Sequence, residues 1–237
     1  MTRHQFSEVI NDLISYFLLG DILLLKRYKK ENGLSNNLAL DFTTNDSSDQ
    51  VVQDGIFIPM PGIENHLYTI IFNLSTQTPE LLKEKSRLQH RRGGYVLRIE
   101  NNSLMLFTWR ILENFTDATL DELLKLYNSP GRPMIELENG WYDVEILGGE
   151  IPVVRDGPRP SRWDDEGGLI RPIERALRTP RWYDVEKLGG KAPDGTDWFE
   201  PAFEFVLKKV EGPKKAANID LNYQFAISQT AGIRWKF

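Results

Sequence analysis

The stretch YVLRIENNSLMLFTWRIL, residues 95–112, decides the fold class of this chain. Apolar side chains alternate with other residues from Tyr95 to Ile99, which is the period of a strand with one buried face. An Asn-Asn pair at 101–102 supplies a turn, and a second apolar run follows at 104–112. Strand, turn and strand in this order predict a β-hairpin.

Strand-like runs recur on both sides of this stretch. The predicted strands cover residues 55–61, 67–74, 134–137, 199–207 and 221–227, which are rich in β-branched and aromatic side chains. Between them, Thr116 and Asp117 are typical caps for a short helix over 120–127.

The remaining segments show other periods. Apolar residues spaced by three and four over 6–17 predict an amphipathic helix that ends at Gly20. The apolar run 22–25 predicts a short strand, and the small polar residues of 45–49 predict a loop. Charges and leucines over 79–92 predict a further helix, because a Gly-Gly pair follows it as a stop.

These elements predict a mainly β protein of the α+β class, with two packed antiparallel sheets and two or three peripheral helices. The chain of 237 residues is expected to form a single domain over 1–237, with a long loop or insertion at 150–181. The loop is predicted because that segment is rich in proline, and all its basic residues are arginines.

A nine-residue repeat interrupts this pattern. WYDVEILGG at 141–149 returns as WYDVEKLGG at 182–190, with eight of nine positions identical. Propellers and solenoids need at least three copies, so a local duplication is the better explanation. In a strand, the first copy would direct Tyr142, Val144 and Ile146 to the core. Lys187 in the second copy predicts a strand nearer a sheet edge.

The opposite face of each copy presents one tryptophan and two carboxylates: Trp141, Asp143, Glu145, Trp182, Asp184 and Glu186. Two interpretations stay open. Each face is either a solvated strand surface whose tryptophan a neighbour half covers, or an aromatic and acidic patch that binds a basic protein partner. The arginine-rich segment between the copies has a similar pair of interpretations, as a site for phosphate or carboxylate groups or as an inserted surface loop.

Several kinds of chemistry are absent from the sequence. The chain has no cysteine, which excludes disulfides, thiolate metal sites and cysteine nucleophiles. Phosphate-loop, dinucleotide-binding and nucleophile-elbow patterns do not occur, and the Gly-Gly pairs are interpreted as turns. His4, His66 and His90 are isolated from one another. No catalytic residue, metal or cofactor is therefore predicted.

The formal charge of −5 and the pI near 5.4 disfavour nucleic acid and anionic membranes as partners. The N-terminal apolar segment is interrupted by Glu8, Asn11 and Asp12, which is unlike a signal peptide or a spanning helix. A cytoplasmic location is therefore expected.

The order of the 95–112 strands, the short helix and the ILENGWYDV segment at 135–144 resembles small bacterial β-sandwich proteins of the toxin-immunity and competence-protein J type. The likeness extends from about residue 56 to 228 and departs from those proteins in the arginine-rich insertion. The resemblance implies a cytoplasmic inhibitor that binds a toxin or nuclease and blocks its active site, without chemistry of its own.

Two other functions stay open at this point. One is an enzyme whose site is assembled from distant carboxylates and arginines, which a single sequence does not display. The other is a structural or phage-related assembly protein, whose exposed strands pack against neighbouring copies.

Overall fold

The computed structural model describes residues 3–10, 15–44, 47–64, 66–84, 86–128, 132–152, 199–217 and 220–228. These ranges contain the strands β1 (Arg3–Ile10), β2 (Tyr16–Gly20), β3 (Phe57–Pro61), β4 (His66–Asn73), β5 (Arg87–Ile99), β6 (Ser103–Thr108), β7 (Met134–Glu136), β8 (Gly140–Pro152) and β9 (Phe199–Val210). They also contain the helices α1 (Ile22–Glu31), α2 (Leu38–Thr44), α3 (Ser47–Gln53) and α4 (Asp117–Tyr127), with 3₁₀ helices at Glu80–Leu82 and Trp109–Asn114.

The strands form two sheets. Sheet A has five strands in the order β1-β4-β9-β8-β5, and sheet B has four in the order β3-β2-β6-β7. The predicted mainly β fold with two packed sheets is confirmed. Two details differ from the prediction, since β4 and β9 pair in parallel and the described residues form more helices than two or three.

The main core lies between the two sheets. Alternate residues of each strand fill it, among them Leu19 and Met60 from sheet B and Tyr68, Ile146 and Phe205 from sheet A. Each of these side chains is almost completely removed from water. Because burial of apolar area is the dominant favourable term in folding, this layer holds the sheets together.

The two outer faces of the sandwich are covered unequally. The helices pack on the outer face of sheet B, where Leu24, Phe42 and Leu120 meet Phe57 and Phe107 in a second core. On the outer face of sheet A, the described residues form one small apolar cluster, in which the 3₁₀ residue Leu81 lies with Leu147, Ile151, Ala202 and Val206. No helix within the described ranges covers the part of this face at the start of β8.

The predicted hairpin at 95–112 is wrong in its pairing, and its second strand is shorter than predicted, since residues 109–112 belong to a 3₁₀ helix. The first strand is part of β5 in sheet A, whereas β6 belongs to sheet B. Both oxygens of Asp21 accept hydrogen bonds from the turn between them, including one from the Asn101 backbone N–H at 2.9 Å. The turn therefore carries the chain from one sheet to the other.

The predicted N-terminal helix and the strand after it are both wrong. Phe6 lies in β1 with its ring against Phe72, and Phe17 and Leu18 lie in β2 on opposite faces of sheet B. A strand buried on both faces gives a continuous apolar run, which short-range periodicity does not separate from a helix. The apolar run that begins at Ile22 is helical instead, as α1, because Asp21 caps its first turn.

Three further predictions are corrected. Residues 79–92 form a 3₁₀ turn and the start of β5 instead of a helix. Residues 221–227 form no strand. Part of the predicted 45–49 loop belongs to α3, and residues 45–46 lie outside the described ranges.

Other local predictions are confirmed. The Thr116 hydroxyl caps α4 by accepting from the Thr119 backbone N–H, and strands are present where 55–61, 67–74, 134–137 and 199–207 predicted them. None of the helices in the described part of the chain has the length and apolar character needed to cross a membrane.

The boundary of the predicted 150–181 loop changes. Residues 150–152 belong to β8, where Pro152 pairs with Phe199 at the end of the β8–β9 ladder. The rest of that loop, residues 153–181, lies outside the described residues.

Candidate functional site

The outer face of β8 presents the predicted row of site residues. Tyr142, Val144 and Ile146 are buried in the main core, whereas Trp141, Asp143 and Glu145 are partly exposed. The alternation predicted for the first copy of the repeat is therefore confirmed. The second copy, with Trp182, Asp184 and Glu186, lies outside the described residues.

Asp143 and Glu145 line a shallow cavity of about 370 Å³, called the polar groove below. Val96 of β5 and Lys208 of β9 lie on either side of Asp143 in the sheet. The valines that line the groove are Val96, Val144 and Val206, and its charged side chains are Arg91, Asp143, Glu145, Lys208 and Lys214.

Asp143 is paired with a lysine from the segment that follows β9. Lys214 Nζ lies 2.6 Å from one carboxylate oxygen and 2.7 Å from the other. The Ala217 backbone N–H donates to the Gly94 carbonyl oxygen at 2.8 Å, which holds this segment against β5. The pair is half exposed, since the side chains of Asp143 and Lys214 retain 40% and 48% of their accessible area.

Glu145 is paired with an arginine from β5. Arg91 Nε donates to Glu145 Oε1 at 2.7 Å. The strand shifts its register against β8 between Arg92 and Tyr95, so Gly93 and Gly94 form a bulge that borders the groove. The prediction that the Gly-Gly pairs are turns is wrong for the two described pairs, because Gly93-Gly94 lies in β5 and Gly148-Gly149 lies in β8. The pairs at 167–168 and 189–190 lie outside the described residues.

The charge of the groove differs from the acidic patch that the sequence suggested. Three cations face two carboxylates, and each carboxylate has a cation of its own chain beside it. Lys208 is the third cation, and the described residues place no carboxylate within ion-pair distance of it. Sequence analysis missed Arg91, Lys208 and Lys214, because no local pattern relates them to the 141–145 segment.

Trp141 lies at the end of the row and is half covered by its neighbours. The Arg98 guanidinium lies 5.7 Å from the Trp141 ring centroid. A methyl group on Gly55 would come within 3.3 Å of the ring, so this glycine lets the backbone approach closely. Contacts from Arg98 and Gly55 therefore cover part of the indole, and the residue stays partly exposed.

Glu100 forms an ion pair with Arg98 and makes the stability of the protein depend on pH. Hydrogen bonding from the Arg27 guanidinium, together with the charge of Arg98, holds the pKa of Glu100 below its ordinary value of 4.5. A carboxyl whose pKa is lowered by folding stabilises the protein above its unfolded pKa, and this stabilisation is lost as the pH falls through the lowered value.

We therefore expect Glu100→Gln to weaken the loss of stability in acid. The urea midpoint of the unmodified protein should fall more between pH 7 and pH 3 than that of the variant, and Glu122→Gln on the exposed side of α4 serves as a control. The same fall for all three proteins would contradict this role of Glu100.

The described residues contain no group of three or more side chains suited to hold a metal ion. His4, His66 and His90 lie on β1, β4 and β5 respectively. Burial lowers the pKa of His4, and both ring nitrogens of His90 make hydrogen bonds within the protein.

No protein-family model and no curated protein matches this chain. Among solved structures, the protein described as Crocagin biosynthetic gene J is similar, with 14% identity over 88% of this chain and 99% of that chain and a TM-score of 0.36. A likeness of that size supports no argument about function. The resemblance to toxin-immunity and competence-protein J proteins stays a prediction.

Proposed function

We propose that this chain is a protein-binding inhibitor of the toxin-immunity kind, which acts in the cytoplasm and docks its partner on the polar groove. The observation that supports this proposal is the row Trp141, Asp143 and Glu145, partly exposed on the outer face of sheet A, whereas the described helices pack on sheet B. Tryptophan is frequent among the residues that dominate binding energy at protein interfaces.

The two ion pairs of the groove can be replaced by ion pairs to a partner at a small cost in free energy. Exposed ion pairs contribute about 0–1 kcal/mol each, so replacing an internal cation with one from a partner costs little. A basic partner would displace Lys214 from Asp143 and Arg91 from Glu145. A partner that also carries a carboxylate would meet Lys208.

Reversing the charge of the row is expected to weaken the complex. The partner to test is the product of the neighbouring gene, co-expressed with this chain and purified as a complex. Asp143→Lys with Glu145→Lys should lower its affinity at least about tenfold, since like charges would then face each other. The control is Asp121→Lys with Glu122→Lys on α4. It changes the net charge by the same amount, but α4 packs on the outer face of sheet B, far from the groove on sheet A.

Isothermal titration calorimetry on the three purified proteins measures the effect. An unchanged affinity in the groove variant and in Trp141→Ala would show that the partner docks elsewhere. No complex with the unmodified chain would contradict the inhibitor function itself.

An enzyme is the second candidate, because arginine, lysine and carboxylate side chains converge in the polar groove. Mass spectrometry of the partner after incubation with this chain separates the two candidates. An unchanged mass with a stable complex supports an inhibitor, whereas a changed mass that Asp143→Asn abolishes supports an enzyme.

A further inference from the structure

Residues 220–228, called the strap below, cross the open side of the sandwich, with a turn at 221–222 followed by residues 223–228 outside any helix or strand. It lies between β3, an edge strand of sheet B, and β5, an edge strand of sheet A. The Phe225 backbone N–H donates to the Pro61 carbonyl oxygen at 2.8 Å. On the other side, the Gln89 side chain accepts from the Ser228 N–H at 2.8 Å and donates to the Ser228 carbonyl oxygen at 2.7 Å.

Two apolar side chains anchor the strap in the main core. Phe225 and Ile227 are 0% and 3% exposed, whereas Gln224 and Ala226 face outward. The Phe225 ring packs edge-on against Phe203 of β9, with the ring centroids 6.4 Å apart. The strap therefore inserts alternate side chains, as a strand would, into the space between the sheets.

Both ring nitrogens of His90 in β5 make hydrogen bonds to the strap. Its Nε2 lies 2.7 Å from the Ala226 carbonyl oxygen, and its Nδ1 lies 2.8 Å from the Tyr223 hydroxyl. A carbonyl oxygen only accepts, so Nε2 is the donor in the bond to Ala226. Arg92 adds a stacking contact to the Tyr223 ring at 4.3 Å and an ion pair to Asp220 at 3.3 Å.

The strap is held by side chains rather than by a backbone ladder. Among the described residues, one backbone-to-backbone hydrogen bond joins it to the rest of the protein, the bond from Phe225. The strand pairs of both sheets form without any residue of the strap. The walls of the space between β3 and β5 therefore do not depend on the strap for their pairing.

We propose that the space between β3 and β5 is a peptide-binding slot, and that the strap occupies it as a ligand supplied by the same chain. The slot selects an extended segment with tyrosine, phenylalanine and isoleucine at every second position, as in Tyr223, Phe225 and Ile227. A segment of another chain with this pattern binds in the same way when the strap is released. This site is separate from the polar groove and does not depend on the inhibitor function.

Binding in trans tests the slot directly. The host is the full chain carrying Phe225→Ala, whose own strap has lost its main anchor, and the probe is a fluorescein-labelled peptide with the sequence DLNYQFAIS of residues 220–228. Fluorescence anisotropy should show saturable binding. The same peptide with alanine for phenylalanine should bind at least about tenfold more weakly. Equal affinity of the two peptides, or no binding to a folded host, would overturn the proposal.

If the Phe225→Ala host does not fold, amide hydrogen exchange of the unmodified chain provides a second test. The Phe225 and Ser228 amides, which donate across to β3 and β5, should exchange through a local opening while the β8 and β9 amides stay protected. Exchange of all these amides in one global unfolding event would show that the strap is an inseparable part of the core and would overturn the slot.

Discussion

Gly149→Ala is expected to lower the free energy of unfolding by about 3 kcal/mol. Gly149 lies in the buried part of β8, where a Cβ would come within 2.2 Å of the Arg87 carbonyl oxygen and 3.0 Å of the Leu88 Cα. Both atoms belong to the backbone of β5, so no side-chain rotation relieves the clash. The two strands have to separate locally.

Gly93→Ala is the matched control. A Cβ on Gly93 meets no atom within 4 Å, so this variant should stay within about 0.5 kcal/mol of the unmodified protein. Urea unfolding followed by circular dichroism measures both variants. Equal midpoints for the two would show that β5 and β8 are not packed as closely as described.

Gly149→Ala is also expected to affect the candidate site. Pairing of β5 with β8 brings Arg91 beside Glu145. A displaced β5 should therefore weaken partner binding as well as stability, although Gly149 does not line the polar groove.

Asp21→Ala is expected to cost about 3 kcal/mol or more, because one buried carboxylate serves two parts of the fold. Asp21 is 1% exposed. Oδ1 accepts from the Leu23 and Leu24 backbone N–H groups at the start of α1. Oδ2 accepts from the Glu100 and Asn101 backbone N–H groups at 3.0 and 2.9 Å.

Two comparisons separate this role from a general effect of charge. Asp21→Asn keeps one acceptor oxygen and should lose less stability than Asp21→Ala. Asp121→Ala, at an exposed position of α4, should change stability by no more than about 0.5 kcal/mol. Thermal and urea unfolding of the three variants test this order, and equal losses for Asp21→Ala and Asp121→Ala would contradict it.

The error at residues 95–112 shows where local reasoning ends. Alternation over 95–99 predicted the first strand, the apolar run 104–112 predicted the second, and the Asn-Asn pair predicted the turn, with Asn102 at a positive φ of 50°. The turn between the two strands is instead held by Asp21, about 80 residues earlier, whose carboxylate accepts from the backbone of Glu100 and Asn101. A long-range contact of this kind leaves no mark on the periodicity of either strand.

At the candidate site too, the sequence predicted the residues of one strand but not their partners from other strands. The period of two placed Trp141, Asp143 and Glu145 on the outer face of β8, and the structure agrees. The cations beside them come from positions separated by 54 residues for Arg91 and 71 residues for Lys214. An acidic patch inferred from the segment alone therefore became a groove in which cations outnumber carboxylates.

The sequence by itself determined the mainly β class, most of the strands after α3, the cap of α4 and the two faces of β8. Each of these follows from side-chain period or capping chemistry within a few residues. Only the tertiary structure decided which strands pair, which charges meet Asp143 and Glu145, and that residues 220–228 fill the space between two edge strands. Those outcomes depend on contacts between residues far apart in the chain, whose energies the local pattern does not contain.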